Sequence, residues 1–289
     1  MARAGTHLLI IDAQNDFCDL PEAACPVRDG QRLLPALPVA GAHDDMLRLA
    51  GFIDTQAARL DAICLTLDSH HHFDIGHPAF WCDASGMAPP PFTPIHAADV
   101  RAGHWLPRAA HARERVLAYL GTLEATGRYT HRVWPAHCEL GSWGHGVHGA
   151  VFAACQRWEA LRLRATQHVL KGLNPWTEHY SAVMAEVPDP ADPATARNEA
   201  LLDFVAGAAR VVIAGEAGSH CVRATVEHLV AFSPRDVRAR FVLLEDCMSP
   251  VAGFEPAQAE FLAAMREAGV AVMRAAAAAA LPDAEQASA

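Results

Sequence analysis

Six short apolar runs rich in β-branched residues alternate with segments of helix length, and this alternation constrains the fold more than any other feature of the chain. The runs lie at residues 8–11, 62–67, 168–170, 210–214, 241–244 and 270–273. Helices are predicted between them at residues 44–60, 198–207, 221–232 and 256–268. Parallel strands need long crossover connections, which are usually helices. The pattern therefore predicts an α/β fold in which a parallel sheet carries helices on both faces.

Residues 78–166 interrupt this alternation. They contain a predicted helix at 110–125 and a loop rich in glycine and histidine at 141–149. Because the stretch has no strand set of its own, we interpret it as an insertion that packs over one end of the sheet. The chain length suits one large domain or two small ones. We therefore expect residues 1–289 to form a single domain that ends in a flexible alanine-rich tail at 275–289.

Composition excludes several classes of function. The chain carries 33 acidic and 23 basic residues, a net charge of −10, without a clustered basic stripe. Nucleic-acid binding needs Lys and Arg to neutralise phosphates, so neither a nucleic acid nor an anionic membrane surface is an expected partner. No apolar run approaches the roughly 18 residues that span a bilayer, and residues 1–6 lead into a strand rather than a signal peptide. We expect a cytoplasmic protein whose partner is a small molecule.

Polar residues follow four of the predicted strands. Asp12 and Asp68 end the first two, Lys171 ends the third, and Cys221 follows the fourth. In open α/β sheets, ligands bind in the crevice beyond the carboxyl ends of the strands. These four side chains are therefore expected to lie in one pocket.

A carboxylate, an ammonium and a thiol in one pocket suit nucleophilic catalysis. The thiolate is the nucleophile, and its pKa falls beside a cation and at a helix N-terminus, where Cys221 is predicted to lie. A carboxylate can take the thiol proton and return it to a leaving amine. Each residue alone has a plainer interpretation, as a cap or turn aspartate or as an inert core cysteine. The 8 cysteines form no CxxC pair and are otherwise expected to be free thiols.

Histidine supplies a second candidate cluster. Asp68 and His70 form a DxH pair at the end of a predicted strand, and a carboxylate with imidazoles suits a borderline divalent ion. A further imidazole must come from elsewhere in the chain. We choose His137, because Pro135 stiffens the segment that presents it. A polar loop with solvated histidines explains the spacing equally well.

Six short motifs follow one another along the chain. They are LLIIDAQNDF at 8–17, DSH at 68–70, WPAHC at 134–138, KG at 171–172, GEAGSHCV at 215–222 and VLLEDC at 242–247. In this order they resemble the cysteine hydrolases of the isochorismatase-like superfamily, and among them most closely the nicotinamidases. The matches span roughly residues 8–273, so the resemblance covers most of the chain outside the insertion.

The resemblance implies a three-layer fold with a six-stranded parallel sheet and helices on both faces, and we expect the insertion to cover its active-site end. It also implies a homo-oligomer, a dimer or tetramer, in which neighbouring subunits help to wall the pocket. It assigns a catalytic triad to Asp12, Lys171 and Cys221. It further implies a cis peptide between Glu216 and Ala217, and an oxyanion hole made by the amides of Ala217 and Cys221.

The resemblance also carries over a metal site and a reaction. The implied metal ligands are Asp68, His70 and His137, with zinc first and manganese or iron as alternatives, and Phe17 and Trp134 would flank a flat substrate. The implied reaction is hydrolysis of a small carboxamide, first of all nicotinamide to nicotinate. The thiolate attacks the carbonyl, ammonia leaves, and water hydrolyses the thioester. The metal would orient the ring more than activate the carbonyl.

Departures from the family pattern leave the substrate open. The 103 positions between Asp68 and Lys171 exceed what a compact nicotinamidase needs. Glu216 replaces an apolar residue, and a carboxylate near the thiol would oppose thiolate formation unless it is paired or points away. The alternatives are a sister amidase acting on a carbamoyl, ureido or other small amide, and a catalytically silent metal- or ligand-binding member. A thiol redox protein is disfavoured because no resolving cysteine is evident.

Overall fold

The computed structural model describes residues 5–284 and has a six-stranded parallel sheet at its centre. The strands are β1 (Thr6–Ile11), β2 (Val27–Arg28), β3 (Gln31–Arg32), β4 (Leu60–Asp68), β5 (Trp81–Cys82), β6 (Leu106–Pro107), β7 (Gln167–Lys171), β8 (Arg210–Gly215), β9 (Phe241–Leu244) and β10 (Ala271–Met273). The central sheet has the order β10-β9-β8-β1-β4-β7, with every pair parallel. The predicted α/β fold is confirmed, and each of the six predicted runs forms a strand of this sheet.

Helices cover the sheet. They are α1 (Ala42–Gln56), α2 (Ala97–Ala102), α3 (Arg113–Thr126), α4 (Gly149–Arg162), α5 (Glu199–Ala206), α6 (Cys221–Phe232), α7 (Arg235–Arg238), α8 (Glu255–Glu267) and α9 (Ala275–Ala279). Helix α1 contacts both α4 and α9, whereas α6 contacts α8. These two groups form the outer layers expected of a parallel sheet. None of the helices within residues 5–284 is both long enough and apolar enough to cross a bilayer.

The strand register aligns the carboxyl ends of the central strands. In β1, the four residues from Leu8 to Ile11 are fully buried, as expected for a strand covered on both faces. Ile11 pairs with Gly215 of β8, and Asp68 of β4 pairs with Lys171 of β7. Gly215 has φ +125°, and a Cβ there would lie 1.9 Å from the Ile11 oxygen, so only glycine fits. This edge of the sheet carries the candidate site.

The stretch predicted to be the insertion 78–166 has two parts. Trp81 and Val116 belong to a small second core, which α2, α3 and the antiparallel β5–β6 pair surround. In contrast, α4 packs on α1, and its Val151 and Trp158 belong to the main core. The structure therefore differs from the prediction in two respects. Residues 149–162 form a layer helix of the main fold, and the remainder contains a strand pair of its own.

The alanine-rich segment also differs from the expectation of a flexible tail at 275–289. It begins with α9, in which Ala275 and Ala278 are buried, and this helix contacts α1 and β9. Alanine has the highest helix propensity, and its small side chain allows a helix to pack closely. Residues 285–289 of the predicted tail lie outside the described residues.

Candidate active site

The carboxyl ends of four neighbouring strands bring Asp12, Asp68, Lys171 and Cys221 into one buried cluster. Asp12 follows β1, Asp68 and Lys171 end β4 and β7, and Cys221 is reached from β8 through a tight turn. Lys171 Nζ lies 2.9 Å from Asp12 Oδ2, 2.8 Å from Asp68 Oδ1 and 3.6 Å from Cys221 Sγ. The lysine side chain is 1% exposed, so these charges interact with little screening by water.

The three protons of the Lys171 ammonium all have acceptors. They are donated to Asp68 Oδ1, to the backbone oxygen of His179 at 3.0 Å and to Cys221 Sγ. Asp12 Oδ2 also lies 2.9 Å from the ammonium nitrogen and forms an ion pair with it. A carboxylate oxygen of Asp12 lies within 4.8 Å of the thiol sulfur. Asp12 is therefore the carboxylate placed to accept the thiol proton.

Burial and charge together set the protonation of this cluster. Burial raises the pKa of the Cys221 thiol well above its ordinary value, although Lys171 acts in the opposite direction. Burial also raises the pKa of Asp12, again against the effect of Lys171. Burial would lower the pKa of Lys171, but Asp12 and Asp68 outweigh it and raise that pKa well above its ordinary value. The resting cluster thus holds a neutral thiol, a charged ammonium and a carboxyl group with increased proton affinity.

The thiol lies at the N-terminus of a helix. Cys221 is the first residue of α6, and amides in the first turn of a helix have no intrahelical acceptor. A helix N-terminus also favours negative charge. The peptide between Glu216 and Ala217 is cis, which confirms what the resemblance implies. Ala217 and Cys221 line the same cavity, so the amides of the implied oxyanion hole belong to residues at the thiol.

Glu216 contacts Ser249 rather than the thiol. The residue is fully buried, and its Oε2 accepts a hydrogen bond from the Ser249 amide at 3.1 Å. Burial raises the pKa of Glu216 well above its ordinary value, and the nearby Asp45 raises it further. The neutral form of this carboxyl is therefore favoured. Glu216 in this form adds no negative charge beside Cys221, which removes the conflict raised by the sequence.

Asp68 also faces two imidazoles. His70 Nε2 lies 3.1 Å from Asp68 Oδ2, and His137 Nε2 lies 3.4 Å from the same oxygen. The outer ring nitrogens have other partners, Asp74 Oδ2 at 3.0 Å for His70 and the Pro135 oxygen at 2.8 Å for His137. An outer nitrogen that donates its proton leaves the Nε2 lone pair free for a metal ion.

This arrangement fits a divalent ion of the zinc type. Two imidazole nitrogens and one carboxylate oxygen converge, and His70 Nε2 is buried without a hydrogen-bond partner in the described residues. His77, which the sequence did not assign as a ligand, has a ring nitrogen within 4.8 Å of ligand atoms of His70 and His137. The acidic and thiol atoms around Lys171 are less suited to a metal, because the ammonium already lies among them.

Aromatic side chains wall the cavity next to the thiol. Phe17 and Trp134, which the resemblance assigns to substrate contact, both line it, together with Tyr180 and His220. Trp134 Nε1 donates a hydrogen bond to Tyr180 Oη at 3.0 Å, which fixes the plane of the indole. All four side chains are buried. The space between them is about 20 Å³, so a flat ligand enters only when these side chains move apart.

Several residues of the site were not predicted from the sequence. Gln14 joins β1 to β4, because its Oε1 accepts from the Asp68 amide at 2.7 Å and its Nε2 donates to the Asp68 oxygen at 2.8 Å. Glu178 lines the cavity, and burial raises its pKa to about 7. Composition did offer one unused signal, since Lys171 is the only lysine in the 289 residues. Every other basic side chain, histidine aside, is arginine, which is not interchangeable with lysine at a compact buried site.

The fold is that of the nicotinamidases and pyrazinamidases. No protein-family model matches the sequence, and no curated protein matches it. Among solved structures, the chain is similar to a nicotinamidase/pyrazinamidase from Acinetobacter baumanii, with a TM-score of 0.60 and 18% identity over 96% of this chain and 99% of that one. It is similar to the yeast nicotinamidase, with a TM-score of 0.60 and 17% identity over 93% and 99% of the two chains. It is also similar to a pyrazinamidase from Pyrococcus horikoshii in complex with zinc, with a TM-score of 0.51 and 17% identity over 94% of this chain and 99% of that one.

Proposed function

We propose that this chain is an amide hydrolase of the isochorismatase-like superfamily and that it works through a thioester on Cys221. The observation that carries the proposal is the buried cluster of Asp12, Lys171 and Cys221 at the carboxyl edge of the sheet. A core cysteine is ordinarily inert, but this one begins a helix, touches a cation and opens into a cavity. A cytoplasmic homodimer or homotetramer stays a prediction from the sequence.

Each chemical step has a group to perform it. Asp12 takes the thiol proton, and Lys171 stabilises the thiolate that attacks the carbonyl carbon. The amides of Ala217 and Cys221 bind the developing oxyanion. Asp12 then gives its proton to the leaving nitrogen, and ammonia departs. Water hydrolyses the thioester, with Asp12 as the base, and the thiol is restored.

Nicotinamide is the substrate that we propose first. The similar structures are nicotinamidases and pyrazinamidases, and the rings of Phe17 and Trp134 wall the cavity beside the thiol. A divalent ion held by Asp68, His70 and His137 would hold the ring nitrogen of a pyridine carboxamide. The ring would then lie between the aromatic side chains with its carboxamide directed at the thiol.

One observation favours a sister activity on a ureido or carbamoyl amide. Glu178 lines the cavity, and its Oε2 is buried without a hydrogen-bond partner in the described residues. A ureido group has additional N–H groups from which such an oxygen could accept a hydrogen bond, whereas nicotinamide has no N–H beyond its carboxamide. This alternative uses the same cluster around Cys221 and differs only in what occupies the cavity.

A screen of ammonia release tests the proposed function and separates these substrates. The wild-type protein is expected to release ammonia from nicotinamide and pyrazinamide, and to do so faster than from carbamoyl amino acids, ureido compounds or linear amides. Faster ammonia release from the ureido compounds would show that the sister activity, and not nicotinamide hydrolysis, is the function. If all of these amides stay intact, the proposal fails and a silent binding protein takes its place.

The metal site gives a second prediction. The protein supplied with zinc is expected to hold about one ion per chain at this site, and His70→Ala is expected to lose it. Because an ion that binds only the folded state stabilises it, a chelator should lower the Tm of the wild type but not that of His70→Ala. The matched control is His72→Ala, since the His72 ring is exposed and, within residues 5–284, pairs only with Glu139. Equal zinc content in the wild type and His70→Ala, measured by elemental analysis, would contradict the assignment.

A further inference from the structure

A second cavity lies behind the aromatic wall of the candidate active site. It has a volume of about 240 Å³, and Trp134, Tyr180 and His220 line both cavities. Its remaining wall is formed largely by arginine and aromatic side chains, and no acidic side chain among the described residues lines it. None of the proposed steps at Cys221 uses this space.

The arginines of this cavity carry more positive charge than their partners neutralise. Arg128 and Arg223 share one carboxylate, Glu227, each at 2.8 Å, and Arg128 lies 3.8 Å from Glu186. Arg132 donates a hydrogen bond to a backbone oxygen at 2.6 Å, and no carboxylate within residues 5–284 forms an ion pair with it. The Arg132 guanidinium therefore has unused donors at the cavity.

Flat rings lie next to this free guanidinium. The Arg132 guanidinium carbon stands 5.6 Å from the centre of the Phe254 ring, and the rings of Phe254 and His220 are 4.6 Å apart. Burial lowers the pKa of His220 to about 4, and the charges of Arg132 and Arg223 act in the same direction. Tyr129 also lines the cavity, and its hydroxyl is buried without a hydrogen-bond partner in the described chain.

We propose that this cavity is a second binding site, whose ligand is a small aromatic carboxylate. A carboxylate accepts two parallel hydrogen bonds from a planar guanidinium, which Arg132 has free to give. The ring of the ligand would lie against Phe254 and His220. The space is sufficient, since an apolar cavity of roughly 150 Å³ accepts benzene. A ligand here touches three side chains that also wall the active site, so the two sites share Trp134, Tyr180 and His220.

Binding of para-fluorobenzoate, followed by fluorine NMR, tests this site without relying on turnover. The Arg132→Gln variant is expected to raise the Kd by about tenfold or more, because a charge-assisted bidentate contact is lost. The matched control is Arg28→Gln, which removes the same charge from an exposed residue of β2 outside both cavities. Unchanged affinity in Arg132→Gln would overturn the proposal, as would equal weakening in both variants, which would indicate a general charge effect.

A second variant tests the site independently if Arg132→Gln fails to fold. Phe254→Leu keeps the Arg132 hydrogen bond and removes the ring against which the ligand would lie. It is expected to weaken binding of para-fluorobenzoate while leaving binding of inorganic phosphate unchanged. If both ligands respond equally, the aromatic part of the proposal is wrong. Since no step of amide hydrolysis is measured, failure here is distinguishable from failure of the proposed function.

Discussion

Cys221→Ala is expected to lower the rate of ammonia release by at least about a thousandfold, because removal of a covalent nucleophile leaves only the catalysis due to binding and the oxyanion hole. The fold should persist, since the change deletes one sulfur atom at the edge of a cavity. The measurement is kcat for the preferred amide, together with a thermal unfolding curve.

The matched control for this variant is Cys155→Ala. Cys155 is buried in the main core on α4 and is likewise a free thiol, but it lies outside the cavity. It should retain wild-type kcat. A Cys221→Ala protein that is folded and fully active would eliminate the thioester mechanism.

Lys171→Met is expected to lower both the rate of ammonia release and the free energy of unfolding. It removes the cation from between two buried carboxylates, Asp12 and Asp68, and breaking a buried ion pair from one side typically costs about 3–5 kcal/mol. The free energy of unfolding should fall by an amount of this order, and ammonia release should be lost because nothing stabilises the thiolate. Denaturant unfolding at neutral pH and kcat measure the two effects.

Two further variants separate the loss of a positive charge from the loss of the compact ammonium. Arg28→Met removes a cation from an exposed position and should change neither quantity. Lys171→Arg keeps the charge, but a planar guanidinium cannot reproduce the three short contacts of a compact ammonium, so activity should stay low. Wild-type stability and activity in Lys171→Met would show that the buried cluster is not the reactive centre.

The sheet was predictable from the sequence because its strands are buried on both faces. Such strands are continuous apolar runs, and their polar ends at Asp12, Asp68 and Lys171 become neighbours once the strands are parallel. Helix α4 was missed although its apolar residues Val151, Cys155 and Trp158 have helical spacing. The preceding loop rich in glycine and histidine obscured where that helix begins.

The rest of the site was not predictable from strand patterns. His77, Glu178 and His220 reach the cluster from loops and turns, whose paths depend on tertiary contacts rather than on local periodicity. Even so, the DxH pair and the motif around His137 led to converging donor atoms, because a metal site requires specific residue types. The strongest signal that the sequence analysis did not use is that Lys171 is the only lysine in the sequence. Its side chain is buried, whereas no arginine of the described residues is.

Mass spectrometry of the protein quenched with acid during turnover of nicotinamide tests the thioester most directly. We expect one nicotinoyl group on the peptide that contains Cys221, and none on Cys221→Ala. The adduct should be removed by mild alkaline hydroxylamine, as a thioester is. Ammonia release by a protein that never carries an acyl group, or that carries it on another residue, would contradict the proposed role of Cys221.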